Sequence, residues 1–355
     1  MKKIVFAIDD IGISGIVKVT NNLIEELLKT NEYDISVLCL SISDRSKVSS
    51  NVTVYDLDIN KYGHRQRYLK LFSSLSAFFK SHQFDTLIIC GMEFVPFYFL
   101  AAKKYLSNTK LVAWEHRNFN AGPLFRLEWF GKRIACRFFH HIVCLTNKDY
   151  DHYIDYDPDK EKIKRIYNIS QYHVPDSSYN SESNQIITVG FLDYIKGYDM
   201  LVKVASIVYS KHKDWIWNIY GKGKEKESIE GLIKDYGLQN FVILKGFCDD
   251  MPSAYKNSSF YVMTSRSEGF PSVLLEAQRF HLPIISFDIE CGPSDVIEND
   301  VNGFLIKPFD IDKMAEKILK LIEEPQKRIN LSSNSLKYHQ EFETDYIIKQ
   351  WETIL

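Results

Sequence analysis

The chain has 355 residues, with 44 Lys plus Arg against 46 Asp plus Glu and 45% hydrophobic residues. Such a length and composition fit two globular domains or one large one, and exclude a disordered or collagen-like chain. A formal net charge of -2 argues against a globally basic nucleic-acid binder.

The first half alternates buried strands with helices. KKIVFAI (2–8) reads as a strand, IGISG as a glycine-containing loop, and 16–29 as a helix with Val17, Leu23, Ile24, Leu27 and Leu28 on its apolar positions. ISVLCL (35–40) and VTVYDLD (52–58) follow as strands, and 69–79 has helical spacing. TLIICG (86–91), KLVAWEH (110–116) and HHIVCLT (140–146) are further strands. Continuous apolar strands separated by amphipathic helices indicate a parallel sheet covered on both faces. The stretch 168–185 is rich in Ser, Asn and Tyr, has no apolar period, and reads as an interdomain linker.

The alternation then restarts. Strands are expected at 185–191, 215–221, 241–247, 260–265, 282–288 and 302–308, and helices at 200–210, 226–236, from about 272, and at 311–324. Trp215 and Trp217 alternate on a strand and are expected in the core. The chain therefore reads as two doubly wound α/β units, whose ligands would sit at the carboxyl ends of the strands.

Charge is unevenly distributed. Residues 61–148 hold 14 basic and 4 acidic residues. Within them, FRLEWFGKRIACRFF (125–139) mixes Arg126, Lys132, Arg133 and Arg137 with Phe125, Trp129, Phe130, Phe138 and Phe139. Two readings stay open: a solvated helix with its aromatics in the core, or a basic aromatic surface for an anionic bilayer. The six cysteines form no CxxC pair, and Cys39, Cys90 and Cys144 lie in apolar runs, so reduced buried thiols and a reducing compartment are expected. Only five consecutive apolar residues (4–8) precede Asp9, too few for a signal-peptide core, and no run approaches a membrane span. The expected location is cytoplasmic, peripheral to the inner face of the plasma membrane if the basic surface meets lipid.

The chemistry is expected in TSRSEGFPSVLLEAQ (264–278), where a strand ends in a polar turn and leads into an apolar helix. Free N–H groups at a helix start attract phosphate. Gly269 permits close backbone approach and Pro271 suits a first helical turn. Glu276, one turn into the helix, can accept hydrogen bonds from a vicinal diol.

This stretch resembles the E-x7-E motif of the retaining GT-B glycosyltransferases, in particular family 4. The resemblance extends to TVGFLDYIKGYDML (188–201), to 219–247, and to LPIISFDIECGPSDVIENDVNGFLI (282–306), so that 186–325 matches in order. In the first half GISGIVKVTNNLIEELL (12–28), AWEHRNF (113–119) and IYNIS (166–170) resemble the family's first loop and helix, its strand-end histidine and the segment before the linker. The resemblance implies a GT-B fold: two Rossmann-like domains facing across a cleft. Residues 1–175 would bind acceptor and 176–335 the nucleotide sugar, with 336–355 crossing back to the first domain and Trp351 as an anchor.

It further implies roles. Glu268 would lie beside the donor sugar and Glu276 on the ribose hydroxyls, with backbone donors among Gly269, Phe270, Ser272 and Val273. Lys196 would neutralise the leaving diphosphate, Gly190 would line its loop, Gly15 would let the first loop approach the donor phosphate, and His116 would face the sugar. The implied reaction is metal-independent retaining transfer of a hexosyl unit, with no cofactor, from a nucleotide-diphosphate sugar. By family frequency the donor is a UDP-sugar. The implied acceptor is a glycan, lipid-linked, in bacterial surface polysaccharide (lipopolysaccharide or capsule) synthesis. The departing phosphate oxygen would take the acceptor proton; a double displacement through Glu268 is the alternative.

One departure stands out: Phe191 occupies the position where the family carries an arginine on the diphosphate, and Lys222, Arg266 and Arg117 are the candidate replacements. This departure motivates a second reading, a nucleotide-sugar-binding protein with impaired catalysis. A sugar-nucleotide 2-epimerase shares the architecture, but the 282–306 segment points away from it. The acidic triplets Asp56-Leu57-Asp58 and Asp155-Tyr156-Asp157 are read as surface carboxylates rather than metal-binding DxD motifs, and His64, His82, His140, His141, His152, His173, His212, His281 and His339 as structural or solvated.

Overall fold

The computed structural model describes residues 1–59, 61, 64–120, 126–157, 159–173, 179–335 and 340–355. Phe125, His339, the expected 175/176 and 335/336 boundaries and part of the 168–185 linker lie outside them. The chain divides into two compact units, Met1–Ile169 with Glu341–Leu355, and Ser170–Gln340.

In the first unit the strands are β1 (Lys2–Ile11), β2 (Tyr33–Ile42), β3 (Thr53–Asp56), β4 (Thr86–Cys90), β5 (Lys110–Trp114), β6 (His141–Cys144) and β7 (Ile163–Arg165). The helices are α1 (Gly15–Lys29), α2 (His64–Ser81), α3 (Val95–Tyr105), α4 (Arg126–Phe138) and α5 (Asn147–Tyr156). The seven strands lie in the order β3-β2-β1-β4-β5-β6-β7, and all pairs are parallel. Alternate strand residues (Val5, Ala7, Leu38, Leu40, Leu87, Ile89) pack under α2–α5, as the two-residue period requires. On the opposite face α1 buries Val17, Leu23, Ile24 and Leu27. The α13 helix (Thr344–Glu352) contacts α1 and sets Trp351 edge-on against Trp114, with ring centroids 4.8 Å apart.

The second unit carries β8 (Gln185–Val189), β9 (Ile216–Tyr220), β10 (Val242–Gly246), β11 (Phe260–Met263), β12 (Ile284–Phe287) and β13 (Gly303–Ile306). Its helices are α6 (Tyr198–Lys211), α7 (Lys226–Asp235), α8 (Met251–Lys256), α9 (Ser272–Arg279), α10 (Pro293–Val296), α11 (Ile311–Glu323) and α12 (Pro325–Asn334). The sheet order is β10-β9-β8-β11-β12-β13, again parallel. Trp217, Phe260, Phe287 and Ile306 meet α6, α7 and α11 in its core. Trp215 and Trp217 are buried, as expected. The linker's second half is pinned to this unit, with the Tyr179 hydroxyl donating to the Ser259 carbonyl at 2.5 Å. All six cysteines are free thiols. Among the described residues no helix is long and apolar enough to cross a membrane.

Candidate functional site

From the centre of the second sheet the chain builds β8 to β10 outward on one side and β11 to β13 on the other, reversing between β8 and β11. The crevice outside the carboxyl ends of such a strand pair is where doubly wound sheets take ligands. Two loops meet there. After β8, Asp193 caps a short turn over Tyr194–Lys196, and Gly197 closes it at φ +68. A side chain at Gly197 would run into the Thr264 carbonyl, so glycine is required twice over, by conformation and by space. After β11, residues 264–268 lie against this turn: Thr264 Oγ1 donates to the Lys196 carbonyl at 3.1 Å and the Arg266 N–H to the Ile195 carbonyl at 2.7 Å.

The loops are joined by charge. Lys196 Nζ donates to both carboxylate oxygens of Glu268, at 2.6 and 2.8 Å, and Ser265 Oγ donates to Oε1 at 2.6 Å. The ion pair is sheltered, with side chains 24% and 10% exposed. Gly190 lies beside it, its N–H on the Tyr220 carbonyl at 3.0 Å and its carbonyl accepting from the Tyr198 hydroxyl at 3.1 Å. A side chain at Gly221 would strike that same Gly190 carbonyl.

Beyond Glu268 the chain passes half-buried Gly269 and buried Phe270 into α9. The Ser272 N–H, an expected backbone donor, is engaged with the Phe270 carbonyl at 2.9 Å; Val273 follows it in the first turn of α9. Glu276 is only 3% exposed, and its Oε2 accepts from the Tyr255 hydroxyl at 2.8 Å. Burial and the adjacent Glu276 push the Tyr255 phenol well up. Tyr255 stacks on Phe280 at 5.1 Å, and Tyr172 packs edge-on against Phe280 at 5.6 Å. The sequence reading missed Tyr255 and Ser265. Ser265 could have been found, since it sits in the same strand-end turn, three residues before Glu268.

Phe191 is 44% exposed. Of the cations considered in its place, Arg266 is engaged: it grips Asp199 with two hydrogen bonds of 2.8 and 2.7 Å and stacks over Tyr194 at 4.1 Å. These hydrogen bonds hold the Asp199 carboxyl below its usual range. Lys222 is exposed, lies over the Phe247 ring at 5.5 Å, and its carbonyl accepts the Leu192 N–H at 3.0 Å. It is therefore fastened by its backbone to the loop that bears Phe191. Arg117 belongs to the first unit, 3.9 Å from Glu128.

In the first unit the reversal falls between β1 and β4. Ser14 caps α1 there, accepting the Val17 N–H at 3.2 Å, and a side chain at Gly15 would meet no atom within 4 Å. One strand further along, His116 follows β5. Its Nε2 is enclosed without a hydrogen-bond partner, and burial pushes the imidazole down to about 3. It is thus neutral near pH 7, packed 4.4 Å from the Trp114 ring.

The segment carrying His116 is braced by charges the sequence reading did not single out. Lys132 of α4, 5% exposed, lies 3.3 Å from the Glu115 carboxylate and 3.7 Å from Glu128. It also donates to the Phe119 carbonyl at 2.7 Å. Tyr153 donates to Glu115 at 3.1 Å, and Asp149 accepts the Phe119 N–H at 2.7 Å. Burial, only partly offset by Lys132, raises the Glu115 carboxyl to about 7. The aromatics of α4 do not face the core: Trp129 is 50% and Phe130 57% exposed, and Phe138 is also outside.

Two family models match the chain: "Glycosyltransferase Family 4" over residues 13–169 and "Glycosyl transferases group 1" over residues 173–338. An uncharacterized glycosyltransferase of Haemophilus influenzae is 29% identical over the full length of both chains. The amylovoran biosynthesis glycosyltransferase AmsD of Erwinia amylovora is 26% identical, again over all of both. Among solved structures, a variant of TarM from S. aureus in complex with fondaparinux, alpha-GlcNAc-glycerol and UDP superposes with a TM-score of 0.85, covering 100% of this chain and 99% of that one at 17% identity. The pneumococcal O-GlcNAc transferase GtfA in complex with UDP and GlcNAc gives 0.82, covering 99% of this chain and 98% of that one at 17% identity.

Proposed function

We propose that this chain, which belongs to the GT-B glycosyltransferases of group 1, family 4, transfers a hexosyl unit from a UDP-sugar to a hydroxyl of a glycan acceptor in bacterial surface polysaccharide synthesis, with retention and without a metal. The observation that carries the reading is the Lys196–Glu268 pair at the chain reversal of the second sheet. A fixed ammonium at the mouth of a doubly wound sheet is suited to charge that develops on a leaving diphosphate. Family membership and relatives named for amylovoran and poly(ribitol-phosphate) glycosylation support the polysaccharide assignment. The UDP in the TarM and GtfA complexes supports the donor.

In this reading the bond between the anomeric carbon and the diphosphate oxygen breaks as the acceptor oxygen bonds to the same face. The acceptor proton passes to the departing phosphate oxygen. Lys196 stabilises the charge on the leaving group, Glu268 sits beside the sugar, and Glu276 accepts from the ribose hydroxyls. Gly15, Gly190 and the backbone of Gly269, Phe270, Ser272 and Val273 line the donor's path. Neutral His116 faces the sugar as a hydrogen-bonding group rather than a cation. The acceptor is lipid-linked and met at the inner face of the plasma membrane.

A calorimetric panel of UDP, GDP, ADP and CMP in the presence of a chelator tests the donor assignment. UDP binding that the chelator leaves intact is expected. Binding of none of them, by a sample that unfolds cooperatively, would overturn it.

A further inference from the structure

Helices α2, α3 and α4 lie side by side over one face of the first sheet. Across all three, the only carboxylate in the sequence is Glu128, and it is buried. Basic residues are plentiful on the same helices, among them Lys70, Lys103, Lys104, Arg133 and Arg137, all five exposed.

The burial pattern of α4 inverts the usual order. Glu128 and Lys132 point inward, and a side chain at Gly131 would run into the Met92 carbonyl, which fixes this face tightly against the unit. Aromatics are left outside. At 100° per residue, Arg133, Arg137 and Phe130 occupy the middle of the outward half, with Trp129 on one flank and Leu127 and Phe138 on the other. Arg133 stacks over Trp129 at 4.7 Å, and Lys103 of α3 lies 5.8 Å from the Phe138 ring. Leu100 of α3 and Leu69 of α2 add exposed apolar side chains.

From this juxtaposition we propose that the outward face of α4, with its neighbours on α2 and α3, docks on an anionic bilayer, Trp129 and Phe130 entering the headgroup region and Arg133 and Arg137 meeting lipid phosphates. Cations alone would suit any polyanion. Exposed aromatics and leucines between them gain only where an apolar phase is in reach. An aromatic flanked by arginine suits the boundary layer, where one end of the ring is wet and the other apolar. The inner face of the same helix holds the His116 segment through Lys132, which puts that segment about one helix diameter, ~10 Å, from the docked surface. The inference rests on charge and exposure and stands apart from the donor chemistry.

Trp129 supplies its own probe, because Trp114, Trp215, Trp217 and Trp351 are all buried. The full chain is mixed with vesicles of phosphatidylcholine, alone or with phosphatidylglycerol, and with soluble polyphosphate. Sedimentation with the phosphatidylglycerol vesicles only, weakened by salt, is expected. A blue-shifted tryptophan emission quenched by brominated lipid should accompany it. Trp129→Ala with Phe130→Ala should weaken vesicle binding at least about tenfold and remove the shift. Since both side chains are exposed, the melting temperature should stay within a degree or two. Arg133→Glu with Arg137→Glu should abolish the preference for anionic vesicles. Equal recovery in the supernatant with both vesicle types would overturn the proposal. So would polyphosphate binding as tight as vesicle binding with Trp129 emission unmoved, which would make the partner a soluble polyanion.

Discussion

Lys196 holds both carboxylate oxygens of Glu268, so the two side chains expected at the diphosphate and at the sugar already form one unit. A donor diphosphate arriving at Lys196 must share or displace that contact. Separating the roles is therefore possible by mutation. Lys196→Met should weaken UDP binding and lower kcat together. Glu268→Gln keeps a hydrogen-bond acceptor for Lys196, and should leave UDP affinity within about threefold while reducing kcat by about 100-fold or more. Steady-state kinetics beside calorimetry distinguishes the two.

Glu276 is held by Tyr255 rather than displayed to solvent. Glu276→Ala should weaken UDP binding at least about tenfold, about 1.4 kcal/mol. Tyr255→Phe removes only the orienting hydrogen bond and should cost less. Unchanged affinity in Glu276→Ala would remove the ribose role.

The two titrating groups at the end of β5 act in opposite directions. His116 has a folded-state value of about 3 against an ordinary 6.5. Its contribution to stability is present above 6.5 and is lost as pH falls towards 3. Glu115 is raised from 4.5 to about 7, so its contribution is present below 4.5 and is lost as pH rises through 7. Melting temperatures between about pH 4 and pH 8 check this. His116→Gln should gain relative to the natural chain on the acid side, and Glu115→Gln should gain as pH rises towards neutrality.

Removing one partner from a buried charge network leaves the others uncompensated. Lys132→Met, which strands Glu115 and Glu128, should cost about 3–5 kcal/mol in denaturant titrations. A loss below about 1 kcal/mol would show that the network is not paired as described.

Arg266 and Lys222 separate structure from binding. Arg266→Ala breaks the contact that ties the turn after β11 to Asp199 in the first turn of α6, and should lower thermal stability. Lys222→Ala should leave stability unchanged and weaken UDP binding about three- to tenfold, since it is the exposed cation fastened beside Phe191.

The doubly wound pattern was legible because apolar runs as short as TLIIC and FYVM, set between amphipathic helical segments, fit strands covered on both faces of a parallel sheet. The E-x7-E stretch was legible as a strand, a turn and a helix for the same reason. Helix α3 was not named, because VPFYFLAAKKY is apolar on nearly every side and shows no clean period. The orientation of α4 was not legible either. Charged residues are normally placed outward, yet Glu128 and Lys132 are inside because Glu115 and the Phe119 carbonyl, both distant in sequence, complete their pairing. Tyr255 lies 21 residues from Glu276, and only the sheet topology brings them together.

Acceptor-dependent release of UDP tests the central claim most directly. UDP-glucose, UDP-galactose and UDP-N-acetylglucosamine are each incubated with the protein and vesicles, with or without a polyprenyl-diphosphate-linked disaccharide. Glycosyl transfer requires UDP to appear with one donor far faster when the acceptor is present, and Glu268→Gln to remove the difference. UDP release that ignores the acceptor, or tight UDP-sugar binding with no turnover across the panel, would contradict a transferase and leave a nucleotide-sugar-binding protein.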